Sequence, residues 1–594
     1  MMKVSRTPFI CFQCRLLRRP PPSIRTTVAA LAVNRARFFH SSNTKLNTAL
    51  EPDSSSSSAQ RPPPTAPRPN IDIKHIRQNV ELYEKNCLER NYKKQSTYPA
   101  RIADLFAQWQ DRQREGRGLR EYGNALRRHI ANPATIQHEG DEENGIVQKS
   151  ATPGQQDQAS RGEAKKPDDA TAAATIKTPL SDLKSMTRDQ LLEEARKVKQ
   201  ALSTIEEDEA RLTTEMEDLA LAIPNLTSAA TPRGEEPVVI RYINEHLCPA
   251  PPMSAIPDPA DPDSDTDRVW RSHVHIGSEL GILDFAGAAS SSGWGWYYLL
   301  DEGAQLEHAL IQYALSVVTK QRSAEDGNSV GEHPGWRHVI PPSIVYSHIG
   351  AACGFQPRDQ NGEQQVYALA QSAADASRGK PELSLAGTAE IPLAALRANA
   401  VLEQAEMPSK LVGSSRCYRA EAGARGADTK GLYRVHEFSK VEMFAWTSPS
   451  APAAAAVLDE MIDLQCEIIG RLGLRARVLE MPTADLGASA SRKVDVEVFF
   501  PSRRAKNGGW GEVTSASVCT DYQTRRLGTR LRADGGRKME YPWTVNGTAM
   551  AVPRVLAALL ENHWDESAME VVIPECLRPW MDGKEKIAVK HRRK

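Results

Sequence analysis

The chain has 594 residues, of which 40% are hydrophobic and 25% are charged, a composition typical of soluble globular proteins with more than one core. No run approaches the roughly 18 consecutive apolar residues of a membrane-spanning helix, which argues against a membrane protein. The 75 basic and 75 acidic residues balance, so the net charge neither favours nor excludes a nucleic-acid partner. The nine cysteines are scattered and odd in number, which favours a reducing compartment.

The amino-terminal segment is basic. The first 50 residues carry nine Lys and Arg, many Ser and Thr, and no Asp or Glu. This composition predicts a mitochondrial transit peptide over residues 1–42, with cleavage near Phe38 to Ser42. A disordered basic tail that contacts RNA is the alternative. Residues 43–69, rich in Ser and Pro, are predicted to be a disordered linker.

Two later segments have apolar residues at helical spacing. One runs from about Pro99 to Ile130, and the other runs from Leu191 to Ile223, where Pro224 ends it. Because both apolar seams are narrow, they predict an antiparallel, coiled-coil helical arm within residues 70–225. Residues 132–178 have few large apolar side chains and are predicted to be a disordered insert.

The first predicted helix carries a stripe of arginines. Such a stripe suits a phosphate backbone, but a solvated helix face explains it equally well. Its members are Arg101, Arg112, Arg114, Arg117, Arg120, Arg127 and Arg128.

Residues 226–583 have short β-like runs and Gly/Pro turns, which predict one large mixed α/β catalytic domain. The stretch GWRHVIPPSIVY, residues 335–346, is predicted to be a strand that ends at a Pro-Pro break. The basic tail, residues 584–594, is predicted to be mobile and solvated, with tRNA contact as the alternative.

Arg419 and Glu421 lie two residues apart, so in an extended strand both side chains point to one face. In the following run, LYRVHEFSKVEMFAW, the same periodicity places Arg434, Phe438 and Glu442 in line. A cation, an aromatic ring and a carboxylate in this order suit an elongated ligand such as ATP beside a small amino acid. An edge strand with a solvated charged face is the alternative, but it leaves the second Arg and Glu unexplained.

Two further patterns suit phosphate chemistry. Glu512 and Ser515 form a hard-oxygen pair of the kind that Mg²⁺ prefers. Thr548 and Arg554 stand at the start of an apolar-periodic helix, where the helix dipole and the guanidinium of Arg554 both favour phosphate. Arginines and a metal carboxylate suffice for transfer at an α-phosphorus without a side-chain nucleophile. No GxxxxGK[ST] occurs, which excludes a P-loop.

Several motifs occur in the order found in seryl-tRNA synthetases: GTAEIPLAAL, CYRAEAGARGADTKGLYRVHEFSKVEMF, PTADLGAS, NGTAMAVPR and IPECLRPWMDG. From about Ile71 to Gly583 the chain resembles a mitochondrial, fungal-type member of that family. The resemblance implies an α+β fold: a class II catalytic domain on an antiparallel β-sheet flanked by helices, preceded by the helical arm. It further implies a homodimer with residues 335–346 near the interface, and an arm that grips the long variable arm of tRNA(Ser).

The resemblance also implies an activity and a set of site residues. The activity is ATP-dependent ligation of L-serine to tRNA(Ser) in the mitochondrial matrix, with Mg²⁺ as the metal and Arg419 and Arg554 as the catalytic residues. The implied serine site consists of Thr388, Ala389, Glu390, Arg419, Glu442 and Thr548. The implied ATP site consists of Arg419, Ala420, Glu421, Arg434, Val435, Phe438, Glu512, Val513, Thr514, Ser515 and Arg554, with Glu512 and Ser515 as the metal ligands.

Within that set the implied roles are specific. Arg419 holds the α-phosphate and the serine carboxylate, while Arg434 and Arg554 take the γ-phosphate. Glu421 and Val435 contact the adenine, and Phe438 stacks on it. Thr388 and Glu390 bind the serine amino group, and Glu442 and Thr548 hydrogen-bond its hydroxyl.

The chain departs from the family's pattern at four positions near the metal ligands. Ser489, Arg492 and Val494 stand where Gly, Lys and Tyr are usual, and Val518 stands where Asn is common. These departures leave the implied ligands in place and bear on the shape of the metal-binding strand.

Two other functions remain open at this point. One is a catalytically silent paralogue that binds RNA or a partner synthetase, which would be expected to have lost Arg419, Glu421, Glu512 or Arg554; all four are present. The other transfers the activated amino acid to a carrier protein, for which a long helical arm has no use.

Overall fold

The computed structural model describes residues 66–131, 183, 186–247, 271–320, 335–355, 365–421, 431–504 and 507–589. These residues belong to one unit, Arg61–Lys594. The predicted transit peptide, the insert and most of the predicted linker lie outside the described residues, as do residues 422–430.

The described helices, in chain order, are α1 (Ile73–Gln78), α2 (Val80–Glu89), α3 (Tyr98–Ala131), α4 (Arg188–Ala222), α5 (His273–Glu279), α6 (Phe285–Ser292), α7 (Glu302–Thr319), α8 (Ser347–Ala352), α9 (Ala373–Ser377), α10 (Glu390–Ala395), α11 (Ala451–Arg471), α12 (Tyr522–Leu527) and α13 (Val552–Asn562).

The described strands are β1 (Val238–Ile243), β2 (Leu283–Asp284), β3 (Tyr298–Leu299), β4 (Arg337–His338), β5 (Ile344–Tyr346), β6 (Leu383–Leu385), β7 (Val401–Glu403), β8 (Ser409–Tyr418), β9 (Glu437–Thr447), β10 (Ala476–Glu480), β11 (Arg492–Phe499), β12 (Trp510–Thr520), β13 (Arg530–Ala533), β14 (Lys538–Glu540), β15 (Trp543–Ala551), β16 (Trp564–Asp565), β17 (Glu570–Val572) and β18 (Lys586–Ala588).

The two long helices α3 and α4 form the predicted antiparallel hairpin. Near its base, Ile102 and Leu105 pack with Leu212 and Met216. At the other end, Leu126 packs with Leu191 and Val198. A capping box between Thr187 and Gln190 begins α4. The helix ends before Pro224, because the residue preceding a proline disfavours the helical conformation.

The arginine stripe of α3 is partly neutralised across the hairpin. Arg101 pairs with Glu215 at 3.0 Å, Arg112 with Asp208 at 3.4 Å, and Arg120 with Glu206 at 3.5 Å. Arg114 pairs with Asp111 of its own helix. Among the described residues no ion pair involves Arg117, Arg127 or Arg128, so these three side chains are the part of the stripe that is available to an anionic partner.

Two glycines let the hairpin helices approach closely. Gly116 and Gly123 are buried on the face of α3 toward α4. A Cβ on Gly116 would lie 3.3 Å from Ile205 Cγ2 and 3.4 Å from a carboxylate oxygen of Glu209. The neighbouring Gly118 has no atom within 4 Å of the same position.

We expect Gly116→Leu to destabilise the arm by about 1–3 kcal/mol, since a large side chain overpacks this contact. Gly118→Leu, the matched control, should be neutral or stabilising, because leucine favours helices over glycine by somewhat under 1 kcal/mol. The measurement is the midpoint of thermal loss of helical circular dichroism. Equal midpoints for the two variants would contradict the close approach.

The part of the chain that follows the hairpin is built on an eight-stranded sheet, in the order β1-β10-β11-β12-β15-β9-β8-β4. Its pairs are antiparallel except for β4 with β8, which is parallel. Helices α7, α11 and α13 cover one face and form the largest core with residues such as Val441, Met443 and Val496. At one end of the opposite face a second core forms around Phe444 and Trp446. The predicted α+β fold with an antiparallel sheet is therefore confirmed.

The strand predicted to end at the Pro-Pro break is present as β4, and a short strand that was not predicted, β5, follows Pro341 and Pro342. The described part of the tail that was predicted to be mobile, residues 584–589, instead includes β18, because Ile587 is buried and pairs with Val571 of β17.

No described helix is long and apolar enough to cross a membrane. The cysteines in the described part of the chain have free thiols.

Candidate active site

A cavity of about 240 Å³ opens on the sheet face opposite α11, over β9, β12 and β15. It is lined by 14 of the 16 predicted site residues, Ala389 and Ala420 being the exceptions; those that line it are Thr388, Glu390, Arg419, Glu421, Arg434, Val435, Phe438, Glu442, Glu512, Val513, Thr514, Ser515, Thr548 and Arg554. Ala389 is fully buried, and the N–H of Ala420 donates to the carbonyl of Gln365 at 3.1 Å.

Arg419 and Glu421 share the cavity, but not because of strand alternation. The β8–β9 ladder ends at Tyr418 opposite Glu437, and Glu421 adopts a left-handed φ of 48°. This turn brings the Glu421 carboxylate to 3.2 Å from Arg434, which precedes β9. The prediction of one extended strand through both residues is therefore wrong, although both side chains reach one site.

The Arg419 guanidinium lies over an aromatic ring. Its central carbon is 5.3 Å from the Phe438 ring centroid, and its Nε donates to the carbonyl of Gly387 at 3.3 Å. No carboxylate in the described part of the chain forms an ion pair with it. Arg419 is thus a cation oriented by a backbone carbonyl and a ring, with its remaining donors available to an anionic ligand.

Strand β9 supplies the predicted in-line face for Phe438 and Glu442, together with one residue that the prediction missed. Lys440 lies between them on the same face, and its Nζ is 2.5 Å from Glu442 Oε2. Thr548 Oγ1 donates to the same oxygen at 3.2 Å, because Thr548 faces Glu442 in the β15–β9 register. The period-2 rule that selected Glu442 also selects Lys440.

A second buried carboxylate, Glu390, closes this end of the cavity. Gln523 Nε2 donates to it at 2.6 Å. Burial and the nearby Glu442 together raise the pKa of Glu390 to about 7, against the opposing effect of Lys440. When Glu390 and Glu442 are both ionised, Lys440 balances only one of their two negative charges. This end can therefore bind one more cation, which suits a ligand that carries an amino group. Gln523 was not among the predicted site residues.

Glu512 and Ser515 are three residues apart, a spacing that places side chains on opposite faces of a regular strand. In the register with β11, Glu512 pairs with Glu497 and Thr514 pairs with Val496, so Val513 is an extra residue in the ladder. This bulge returns Glu512 and Ser515 to the same face. The sequence did not indicate the bulge.

Cations surround Glu512. Burial alone would raise the pKa of its carboxyl, but Lys493 and Arg554 outweigh burial and lower the pKa to about 2. Arg554 NH1 lies 3.1 Å from Glu512 Oε2 and also donates to the Glu512 carbonyl at 3.0 Å. Helix α13 begins at Val552 and places Arg554 here as predicted, whereas Thr548 lies in β15 rather than at the start of the helix.

Strand β11 contributes a further pair that the sequence prediction missed. Lys493 Nζ lies 2.7 Å from Asp495 Oδ2, and both side chains point to the cavity face. Burial raises the pKa of Asp495 to about 7, with Lys493 opposing the shift and Glu512 adding to it. Single charged residues in an alternating strand give no sequence signal that separates them from a solvated face.

The departures from the family's pattern lie mostly away from this face. Arg492 makes two hydrogen bonds of 2.8 Å to Glu480, and Val494 and Val518 are buried on the core side. Of the four, Ser489 lines the cavity.

A buried histidine supports the approach to β9. His273 Nδ1 lies 2.8 Å from Glu561, and its Nε2 accepts a hydrogen bond of 3.0 Å from the N–H of Leu432. This pair fixes the start of the segment that carries Arg434 and Val435, and nothing in the sequence pattern distinguished it.

Comparison with known proteins gives a consistent result. Residues 371–563 match the family described as the tRNA synthetase class II core domain (G, H, P, S and T). The chain is 48% identical over 315 residues to the mitochondrial serine–tRNA ligase of Saccharomyces cerevisiae, a match that spans 53% of this chain and 64% of the yeast protein. It is 33% identical over 524 residues to the serine–tRNA ligase of Rubrobacter xylanophilus, spanning 87% of this chain and 99% of that protein.

A solved structure agrees with these matches. The seryl-tRNA synthetase of Pyrococcus horikoshii complexed with ATP superposes with a TM-score of 0.64 and 27% identity, covering 88% of this chain and 100% of that one.

Proposed function

This chain belongs to the serine–tRNA ligases, a family of class II aminoacyl-tRNA synthetases, and we propose that it charges tRNA(Ser) with L-serine in mitochondria. The observation that carries the proposal is one cavity that joins an ammonium-binding end, formed by Glu390, Lys440 and Glu442, to a phosphate-binding end. The second end holds Arg419 and Arg554 beside the ionised Glu512.

In the proposed reaction the serine carboxylate attacks the α-phosphorus of ATP, and pyrophosphate leaves with the electrons of the broken P–O bond. The 3′-terminal hydroxyl of the tRNA then attacks the carbonyl of seryl-adenylate and releases AMP. Arg419 neutralises charge on the α-phosphate and the serine carboxylate, and Arg434 and Arg554 hold the γ-phosphate. Positioning and charge neutralisation supply the catalysis, so no side-chain nucleophile is needed.

Phe438, Glu421 and Val435 form the proposed adenine site. The Phe438 ring lies under the Arg419 guanidinium, and an ion pair with Arg434 orients the Glu421 carboxylate at the cavity. Adenine stacked on Phe438 would place its amino group toward the Glu421 carboxylate, with backbone contacts to Val435.

The serine end accounts for substrate choice. Thr388 and Glu390 receive the amino group, while Glu442 and Thr548 hydrogen-bond the hydroxyl. Both Glu442 and Thr548 are buried, so alanine or glycine in this pocket leaves polar groups unpaired. Such a site can reject the analogue that lacks the hydroxyl by about 10⁴-fold or more.

Glu512 and Ser515 fit Mg²⁺. The bulge at Val513 places a carboxylate and a hydroxyl on one face, and the pKa of Glu512 of about 2 keeps that carboxylate ionised at neutral pH. Mg²⁺ binds few protein oxygens and keeps phosphate oxygens and waters as its other ligands, and when bound it neutralises phosphate charge.

Exchanging Glu512 for Gln should lower serine-dependent pyrophosphate exchange by about 10²–10³-fold, the range typical of losing one electrostatic contact to the transition state. It should also raise the Mg²⁺ concentration needed for half-maximal exchange. Glu497→Gln is the matched control, because Glu497 pairs with Glu512 across the ladder but is held by Arg477 at 2.6 Å. An unchanged Mg²⁺ requirement in the Glu512 variant would contradict the metal site.

We further propose the domain limits and partners given by the sequence. The helical arm, residues 70–225, grips tRNA(Ser) through the arginines that lack ion pairs in the described hairpin. Residues 335–346 lie at a homodimer interface, a proposal supported by the exposed side chains of Ile340, Ile344 and Tyr346. Residues 1–42 direct the protein to the matrix, and 226–583 form the catalytic domain.

The direct test uses purified protein that lacks residues 1–42. Pyrophosphate exchange should depend on serine, and mitochondrial tRNA(Ser) should be charged in preference to cytosolic tRNA(Ser). Exchange driven by another amino acid and not by serine would overturn the substrate assignment. Failure to exchange with any amino acid would favour the catalytically silent alternative.

A further inference from the structure

One wall of the cavity is an irregular segment, residues 487–491, which we call the pocket wall. Gly487, Ser489 and Ala490 of this segment line the cavity. The wall lies at the amino end of β11, outside the regular ladder of the sheet. Apart from one hydrogen bond of 2.7 Å, from the N–H of Ser491 to the carbonyl of Val518 in β12, its shape depends on contacts other than strand pairing.

Those contacts come from the base of the helical arm. The carbonyl of Ala488 accepts a 2.9 Å hydrogen bond from the backbone N–H of Asn225, and the carbonyl of Ser489 accepts one of 2.9 Å from Asn225 Nδ2. The carbonyl of Ser491 accepts from the N–H of Ser228 at 2.9 Å. Asn225 and Ser228 belong to the connection that follows α4, so this connection holds the pocket wall on the side away from the cavity.

Arg90, at the end of α2, completes this arrangement. Its NH1 donates to the carbonyl of Asn225 and its NH2 donates to the carbonyl of Gly487. One guanidinium therefore bridges the connection that follows α4 and the pocket wall.

The burial of Arg90 is unusual. Only 1% of its surface is exposed, and no carboxylate in the described part of the chain pairs with it. Burial lowers the pKa of Arg90, which reflects the cost of a cation without an anionic partner. An apolar side chain of similar volume would fill this space at lower cost. An apolar side chain, however, cannot hold two carbonyls at a set separation. The planar guanidinium of arginine does so by donating one hydrogen bond to each of them.

Asn86 strengthens the same junction. It lies one helical turn before Arg90 on α2, and its Nδ2 donates to the carbonyl of Asn225 at 3.0 Å. Its Oδ1 accepts from the N–H and the hydroxyl of Thr227 at 3.0 and 2.9 Å. Cys87, between these two residues, is buried with the hairpin core. Helix α2 thus packs against the arm and is hydrogen-bonded to the connection that follows α4.

The wall lies beside the ammonium-binding end of the cavity. A Cβ on Gly354 would be 3.2 Å from Ser489 Cβ, and Phe355 lines the cavity next to it. The Ser489 hydroxyl also hydrogen-bonds the Cys519 thiol, which is within electrostatic reach of Glu390. A shift of the wall therefore changes the space around Glu390 more than it changes the phosphate-binding end.

We propose that Asn86, Arg90 and Asn225 are positioning residues for serine activation: they fix the pocket wall to the base of the helical arm and thereby set the serine subsite. The inference rests on the proposed function, because it assigns the end of the cavity near Glu390 to serine. None of the three residues lines the cavity, so each acts through the wall.

The test is Arg90→Met in the otherwise unchanged protein, compared with Arg77→Met. Methionine keeps much of the volume of the arginine side chain and removes its guanidinium group. Arg77 lies in the same amino-terminal layer, with its guanidinium 3.3 Å from the centroid of Phe106, and has no contact with the wall. In pyrophosphate exchange, Arg90→Met should raise the KM for serine by about 10-fold, while the KM for ATP changes by less than about 2-fold. This is the size expected when hydrogen bonds that orient a site are lost.

A second readout separates this inference from the proposed activity. Hydrogen exchange of the backbone amides of residues 487–491 should become faster in Arg90→Met and remain unchanged in Arg77→Met, whichever reaction the protein catalyses. Asn225→Ala should act in the same direction. If wild-type protein fails to activate serine, the proposed function falls, while faster exchange in the wall still supports the structural link. An unchanged KM for serine in an active enzyme, or unchanged amide exchange in the wall, would overturn the inference.

Discussion

Replacing Arg419 by alanine is expected to reduce serine-dependent pyrophosphate exchange by about 10³-fold or more while leaving the fold intact. The guanidinium lies 5.3 Å from the Phe438 ring centroid, and alanine would leave the developing charge on the α-phosphate without its partner. Loss of one such electrostatic contact typically costs about 10²–10³-fold in rate, and Arg419 is assigned both to the phosphate and to the serine carboxylate.

The fold should survive this change because Arg419 has no ion pair among the described residues. Its removal therefore leaves no buried carboxylate uncompensated; only the carbonyl of Gly387 loses a donor. Arg416→Ala is the matched control, since Arg416 lies in β8, three residues before Arg419, and pairs with Glu307 at 3.0 Å away from the cavity. Near-normal exchange by the Arg419 variant, with wild-type circular dichroism, would refute its assigned role.

The second large effect concerns Glu390 and its dependence on pH. Because burial raises the pKa of Glu390 to about 7, this carboxyl is largely protonated in the empty pocket at pH 6 and largely ionised at pH 8. The serine ammonium binds the ionised form, so the apparent KM for serine should fall as pH rises from 6 to 8. Glu390→Gln should weaken serine activation by about 10²-fold, a typical consequence of removing the charged partner of a buried ion pair, and should abolish this pH dependence.

Measuring kcat/KM for serine against pH in both proteins tests this prediction. Asp495, whose pKa is also raised to about 7, titrates in the same range, and the Glu390 variant separates the two groups because it retains Asp495. Glu382→Gln, which changes an exposed carboxylate just before β6, is the control. A Glu390→Gln enzyme that keeps the wild-type pH profile would assign the titration to Asp495 instead.

Much of the architecture could be predicted from the sequence because it follows from periodicity. The apolar spacing of α3 and α4 placed their boundaries within a few residues, and the alternation in β9 correctly placed Phe438 and Glu442 on one face. Both rules depend on local backbone geometry, which a short run of residues determines by itself.

The site itself depends on features that no local rule contains. The left-handed turn at Glu421 and the bulge at Val513 change which way side chains point, and each arises where the chain leaves or slips within a ladder. Lys440 and Lys493 appeared to be ordinary charged strand positions. Only the packing of β9, β11 and β15 shows that they face buried carboxylates.

The sequence by itself therefore determined the helical arm, because apolar spacing depends on local geometry, and its motifs resemble those of a known family, which implied the class of fold and the residues of the site. Only the tertiary structure decided how the carboxylates and cations pair, that Glu512 and Ser515 share a face, and that Arg90 links the arm to the pocket wall. Some of those relations join residues far apart in the chain, such as Arg90 and Gly487, which are 397 positions apart. Burial removes their water, which makes the pairing of charges and carbonyls a property of the assembled structure.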